Sequence, residues 1–260
     1  MKTATIQNRK IKKYGWIPDL PDHRDFLYAA AMPYRGVLPA KMDLRPQCPA
    51  IYDQGQLGSC TANAIAAAIE FDQMKQNLSE IFMPSRLFIY YNERAMEGTA
   101  GEDSGAQIRD GIKSVAKQGD CPEKEWPYAI AKFAVKPPAK CYQDAVKYRA
   151  LSYQRVTRDL NQMKGCLASG YPFVFGFTVY ESFEGPQVAK TGIVPMPSTN
   201  EQAVGGHAVM AVGYDDHKQM FIVRNSWSAS WGQKGYFLMP YSYLIQAGLS
   251  SDYWTIRVVA

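Results

Sequence analysis

The chain has 260 residues, 47% of them hydrophobic and 20% charged, enough for one large domain or two lobes around a sizeable core. That composition excludes a disordered or collagen-like chain, and no apolar run approaches the ~20 residues of a membrane-spanning helix. The net charge of +5 resides in an N-terminal arm: Lys2, Arg9, Lys10, Lys12 and Lys13 precede the first acid, Asp19, and positions 14–260 balance at 24 basic against 24 acidic residues.

A neutral body offers no basic stripe to nucleic acid, so the arm reads as solvated, with contact to anionic lipid or nucleic acid the lesser reading. No apolar h-region of ~7–15 residues stands at the N-terminus, which favours a cytoplasmic location over export. Residues 1–37 carry Pro18, Pro21 and Pro33 and show neither helical nor strand period. Yet Tyr14, Trp16, Leu20, Phe26 and Leu27 are more apolar than a free tail requires. The arm therefore packs on the body, as a permanent structural element or as a prosegment over a functional groove.

The pattern changes at Ser59. Cys60–Met74 is rich in alanine, lacks glycine and proline, and reads as a buried helix with Ser59 as its N-cap. Further helices are expected near Pro84–Met96, Ala106–Lys117 and Asp159–Ala168. The proline-rich segment Glu123–Lys140, closing on Pro137-Pro138, reads as an ordered loop or crossover. Beyond Tyr171 the short runs Phe173–Val179, Ala208–Tyr214, Met220–Arg224, Gly235–Leu238 and Trp254–Val259 read as strands. Helices first and strands later make an α+β protein, with a helical lobe and a sheet lobe.

Five cysteines, Cys48, Cys60, Cys121, Cys141 and Cys166, are too few for a disulfide scaffold and leave at least one thiol unpaired. Cys60 stands apart because it opens a helix, where unpaired N–H groups and the macrodipole favour a thiolate. On that ground alone it is equally a small core residue. Only His23, His207 and His217 are available as a base. A hairpin turn centred on Asp216 sets His207 directly opposite Asn225, close enough for an amide oxygen to orient an imidazole. The bland alternative is a strand-end histidine without a catalytic role.

Three blocks in order, Gln54-Gly55-Gln56-Leu57-Gly58-Ser59-Cys60, Gly206-His207-Ala208-Val209 and Asn225-Ser226-Trp227-Ser228-Ala229-Ser230-Trp231-Gly232, together resemble the papain family of cysteine peptidases. The resemblance begins near Met42-Asp43-Leu44-Arg45. It implies a papain-like domain over 38–260, with a helical left lobe at about 48–150, an antiparallel β-barrel-like right lobe at about 151–260, and the active site in the cleft between them. By the same resemblance Cys60 is the nucleophile, His207 the base that forms an ion pair with it, and Asn225 the orienting residue. Gln54 would donate to an oxyanion hole completed by the Cys60 N–H. Trp227 would shield the Asn–His bond, and Gly105, beside Ser104, would pair its backbone with an extended substrate. Gly206 stands where many relatives carry something larger, which would open the pocket behind the nucleophile.

The departures are as informative. Leu57 replaces a usual half-cystine, Thr61 replaces an aromatic residue, and no histidine pair remains for an occluding loop. Cys48, Cys121, Cys141 and Cys166 are thus reduced or joined in one of three pairings, and loss of the usual bridges fits a reducing compartment. No Cys/His spacing suits a zinc site, no phosphate-binding glycine loop is present, and no cofactor is expected. The resulting expectation is a monomeric thiol endopeptidase acting on peptides or proteins, kept latent by residues 1–37, which would block the groove as an extended strand. A transamidase using the same thioester, and a catalytically silent peptide-binding module, are the alternatives.

Overall fold

The computed structural model describes residues 13–28 and 38–260. Lys2, Arg9, Lys10 and Lys12 of the basic arm lie outside those residues. In chain order the elements are β1 (Leu27–Tyr28), β2 (Lys41–Asp43), α1 (Cys60–Lys75), α2 (Arg86–Met96), α3 (Ile108–Gln118), α4 (Ala139–Ala145), β3 (Ala150–Val156), α5 (Leu160–Ala168), β4 (Phe173–Tyr180), α6 (Pro186–Thr191), β5 (Ala203–Asp215), β6 (Met220–Arg224), β7 (Tyr236–Pro240), α7 (Tyr241–Ile245) and β8 (Ser250–Val259).

Helix α1 is the hub. It is buried around nearly its whole circumference, which is why its sequence shows small residues rather than an amphipathic stripe. One side meets α2 and α3; the other meets β5 and β8. Ser59 does not cap it, contrary to expectation. Its hydroxyl instead bonds Tyr128 Oη at 2.5 Å and receives Asn63 Nδ2 at 3.1 Å. Helices α2 and α5 do carry side-chain caps, with Ser85 Oγ accepting from Phe88 N and Asp159 Oδ1 from Gln162 N.

Among the described residues the strands form one sheet ordered β1-β3-β8-β4-β5-β6-β7, with β2 added to β5. Every pairing is antiparallel except β1 with β3. Strand β4 lies between β5 and β8, is buried on both faces, and sets Phe177 opposite His207. The result is an α+β, papain-like fold. Strand β3, which the sequence reading leaves out, is half-buried and polar, so it lacks the apolar run that marks the others.

The β5–β6 hairpin departs from its simple register. Met210 faces Arg224, and a bulge between Ala211 and Gly213 shifts the remaining pairs. Asn225 lies past the end of β6 and is not directly opposite His207.

Candidate active site

Cys60 is the first residue of α1 and His207 lies in β5; both are 0% exposed. His207 Nε2 lies 2.9 Å from Asn225 Oδ1. That oxygen also accepts the Ser226 backbone N–H at 2.8 Å, which identifies it as the carbonyl end of the amide. Nε2 must then carry the ring proton, and Nδ1 is left with its lone pair. Nδ1 has no hydrogen-bond partner. The bond thus forms diagonally across the hairpin rather than between facing residues.

Trp227 is stacked on the imidazole with ring centroids 4.8 Å apart. Phe177 stands edge-on to His207 at 5.7 Å, while Phe183 and Trp231 pack on Trp227 at 5.5 and 5.2 Å. This apolar box keeps water from the His–Asn bond. Phe177 and Phe183 are absent from the sequence reading, because an aromatic residue in a strand or a turn signals core before it signals a site.

Burial acts on both groups. It pushes the Cys60 thiol up to about 12, against the opposing pull of backbone hydrogen bonds at Ala208, Gly15 and Thr61. It pushes the His207 imidazole down to about 4, although the Asn225 bond acts the other way. Burial thus opposes the charged form of both groups. A helix N-terminus favours an anion by at most about 2 kcal/mol, too little to offset complete desolvation.

The arm lies against the nucleophile segment. Residues 14–17 run through the cleft as an extended strand, with Trp16 N donating to Gly206 O at 2.9 Å. On the other wall Ala106 N donates to Gly15 O at 2.8 Å and Ile17 N to Ala106 O at 3.1 Å. Gly15 lies over the nucleophile segment so closely that a Cβ there would stand 1.6 Å from Gly58 O. Gly105, with φ +77°, makes room for the same strand: its Cβ would meet Gly15 O at 2.2 Å. Trp16 fills the space above Gly206 and Gly176, and its Nε1 donates to Asp252 Oδ2 at 3.1 Å. Tyr14 sits edge-on to His207 at 6.0 Å, and its hydroxyl donates to Glu184.

An ionic cluster anchors the next turn of the arm. Asp19 N donates to Asp252 Oδ2 at 2.8 Å, and Trp254 Nε1 donates to Asp19 Oδ2 at 2.9 Å. Arg155 bridges Asp19, Asp25 and Asp252, and Arg109 pairs with Asp25 at 2.7 Å. These arm aromatics and acids carried a sequence signal only in being unusually apolar or clustered for a tail.

The other candidates divide. Gln54 ties the two walls: its Oε1 accepts from Ser226 Oγ at 2.6 Å and its Nε2 donates one hydrogen to Leu57 O at 2.9 Å. The Ser104 hydroxyl donates to Thr99 Oγ1 and Gly105 O. Thr61 donates at 2.6 Å to Glu93, whose carboxyl is wholly buried and pushed well above its usual range. A neutral acid beside the nucleophile helix is thus what the exchanged residue supports. All five cysteines are free.

Comparison with known proteins bears on this geometry. The model of the papain family cysteine proteases matches residues 38–255. An uncharacterized peptidase C1-like protein of Acanthamoeba polyphaga mimivirus is 46% identical, across 100% of this chain and 90% of its own. The crystal structure of xylellain, a cysteine protease from Xylella fastidiosa, superposes with a TM-score of 0.91 at 47% identity, covering 98% of this chain and 100% of xylellain. A procathepsin B from Trypanosoma congolense shares the fold at a TM-score of 0.73 and 20% identity, over 90% of this chain and 82% of its own.

Proposed function

The chain belongs to the papain family of cysteine proteases, and from that premise we propose that it is an endopeptidase whose triad is Cys60, His207 and Asn225, held latent by its own arm. His207 Nδ1 takes the Cys60 proton, and the thiolate attacks the scissile carbonyl. The Gln54 Nε2 hydrogen not used by Leu57, together with the Cys60 N–H, receives the developing oxyanion. His207 then protonates the leaving amine, a thioester remains on Cys60, and water resolves it with His207 as base. Asn225 keeps the ring in the tautomer that leaves Nδ1 basic, inside the box closed by Trp227.

The observation that carries this reading is the backbone of Gly15 lying on Cys60, hydrogen-bonded to Ala106 and, through Trp16, to Gly206. A segment that uses the groove's own backbone bonds excludes a substrate strand from the same place. The groove is therefore built to hold an extended peptide, and this peptide holds it closed.

Turnover of a peptide substrate and iodoacetamide labelling test the proposal. We expect the chain lacking residues 1–37 to hydrolyse peptides faster than the full chain, and Cys60→Ala to abolish both signals. Labelling that persists in Cys60→Ala would move the nucleophile elsewhere. Equal rates for a folded truncation would discard latency, and a product mass showing amine capture would make the enzyme a transamidase.

A further inference from the structure

The loop between α3 and α4 and the first turn of α4 together gather three groups that proteolysis does not use. Cys121 Sγ, Cys141 Sγ and a carboxylate oxygen of Glu125 all lie within 4.8 Å of one another. Both thiols are free and buried. Glu125 Oε2 is buried without a hydrogen-bond partner, and Cys141 Sγ lies 4.0 Å from the Glu125 carbonyl oxygen. Asp120, 1% exposed, brings a further carboxyl beside Cys121.

Such a collection is costly without a counter-ion. Glu125 Oε2 is left unpartnered beside two buried sulfurs. A divalent cation would displace the thiol protons and give each donor a partner. The spacing suits one: tetrahedral zinc, with bonds of about 2.3 Å to sulfur and about 2.0–2.2 Å to oxygen, holds adjacent donors about 3.5–3.8 Å apart.

We propose that Cys121, Cys141 and Glu125 form a binding site for a thiophilic divalent cation of the zinc class, with the fourth position open to water. Binding releases the two thiol protons to solvent, and no electron moves. A disulfide would join the same sulfurs but leave Glu125 Oε2 without a partner. The spacing of the ligands along the chain resembles no zinc motif, because two of them meet only after the segment 122–140 has looped back to α4. That segment carries Tyr128, whose hydroxyl donates to Gln54 O at 2.9 Å and bonds Ser59 Oγ at 2.5 Å. The cation thereby clasps both ends of the loop that buttresses the nucleophile segment.

Cobalt titration of the reduced full-length chain tests the site, in a Cys60→Ala background that removes a competing thiol. We expect one equivalent of Co²⁺ to give a thiolate-to-cobalt charge-transfer band that Zn²⁺ displaces. Cys141→Ser should weaken binding about 100-fold, and Glu125→Gln, which keeps both thiols, about tenfold. Absence of the band overturns the proposal, as does a band that both substitutions leave unchanged. A linked Cys121–Cys141 peptide in a non-reduced digest of the purified chain overturns it equally.

Discussion

Cys60 and His207 are equally hidden from solvent, but different parts of the molecule hide them. His207 is enclosed mainly by its own half of the chain: Trp227 and Phe177 touch the ring, and Phe183 and Trp231 back them. Cys60 is covered by Gly15, a residue of the arm that reaches it from far away in sequence. One enclosure is part of the core and permanent. The other is a strand from a distant part of the chain. On the proposed function, catalytic geometry and latency are separable, and substitutions should divide cleanly between them.

The largest expected effect sharpens the permanent side. In the chain freed of its arm, Gln54→Ala should lower kcat about 10²–10³-fold with the fold intact, as measured by initial rates and circular dichroism. A loss confined to KM would instead make Gln54 a brace between the walls. The removable side answers to Gly15→Ala in the full chain. Its Cβ would stand 1.6 Å from Gly58 O, and overpacking of that kind costs about 1–3 kcal/mol, so turnover should rise about five- to 150-fold. An unchanged rate would mean that the arm yields without leaving.

The same pair of proteins separates the origins of burial by pH. A raised thiol pKa means that thiolate is scarce at neutral pH, so iodoacetamide labelling of the full chain should climb about tenfold per pH unit, toward about 12. In Gly15→Ala the labelling midpoint should move down, because water and His207 both regain access to the sulfur. A midpoint that stays put would assign the desolvation to the core. The smallest effect belongs to Tyr14→Phe, which removes the bond to Glu184 and should raise turnover of the full chain about fivefold, for about 1 kcal/mol.

Much of this site could be read before any coordinates. Cys60 opening an alanine-rich helix, His207 entering a strand from two glycines and Asn225 following the next strand are local patterns, and each element forms where its pattern stands. Ser59 misled because capping is local chemistry overridden by a distant partner, Tyr128. The facing register of His207 and Asn225 failed because the turn is centred between His217 and Lys218 rather than on Asp216, and the bulge at Ala211–Gly213 recovers only part of the difference. Ser104 was drawn in by adjacency to Gly105 alone, and its hydroxyl turns to Thr99.

By itself the amino-acid sequence determined which atoms are available for catalysis and which elements present them, since helix period, strand alternation and glycine placement act over a few residues. Tertiary structure alone decided what those atoms experience. The raised thiol, the lowered imidazole, the strand in the groove and the meeting of Cys121 with Cys141 all arise from segments far apart in the chain. Desolvation depends on what finally covers a group, and no local pattern specifies its cover.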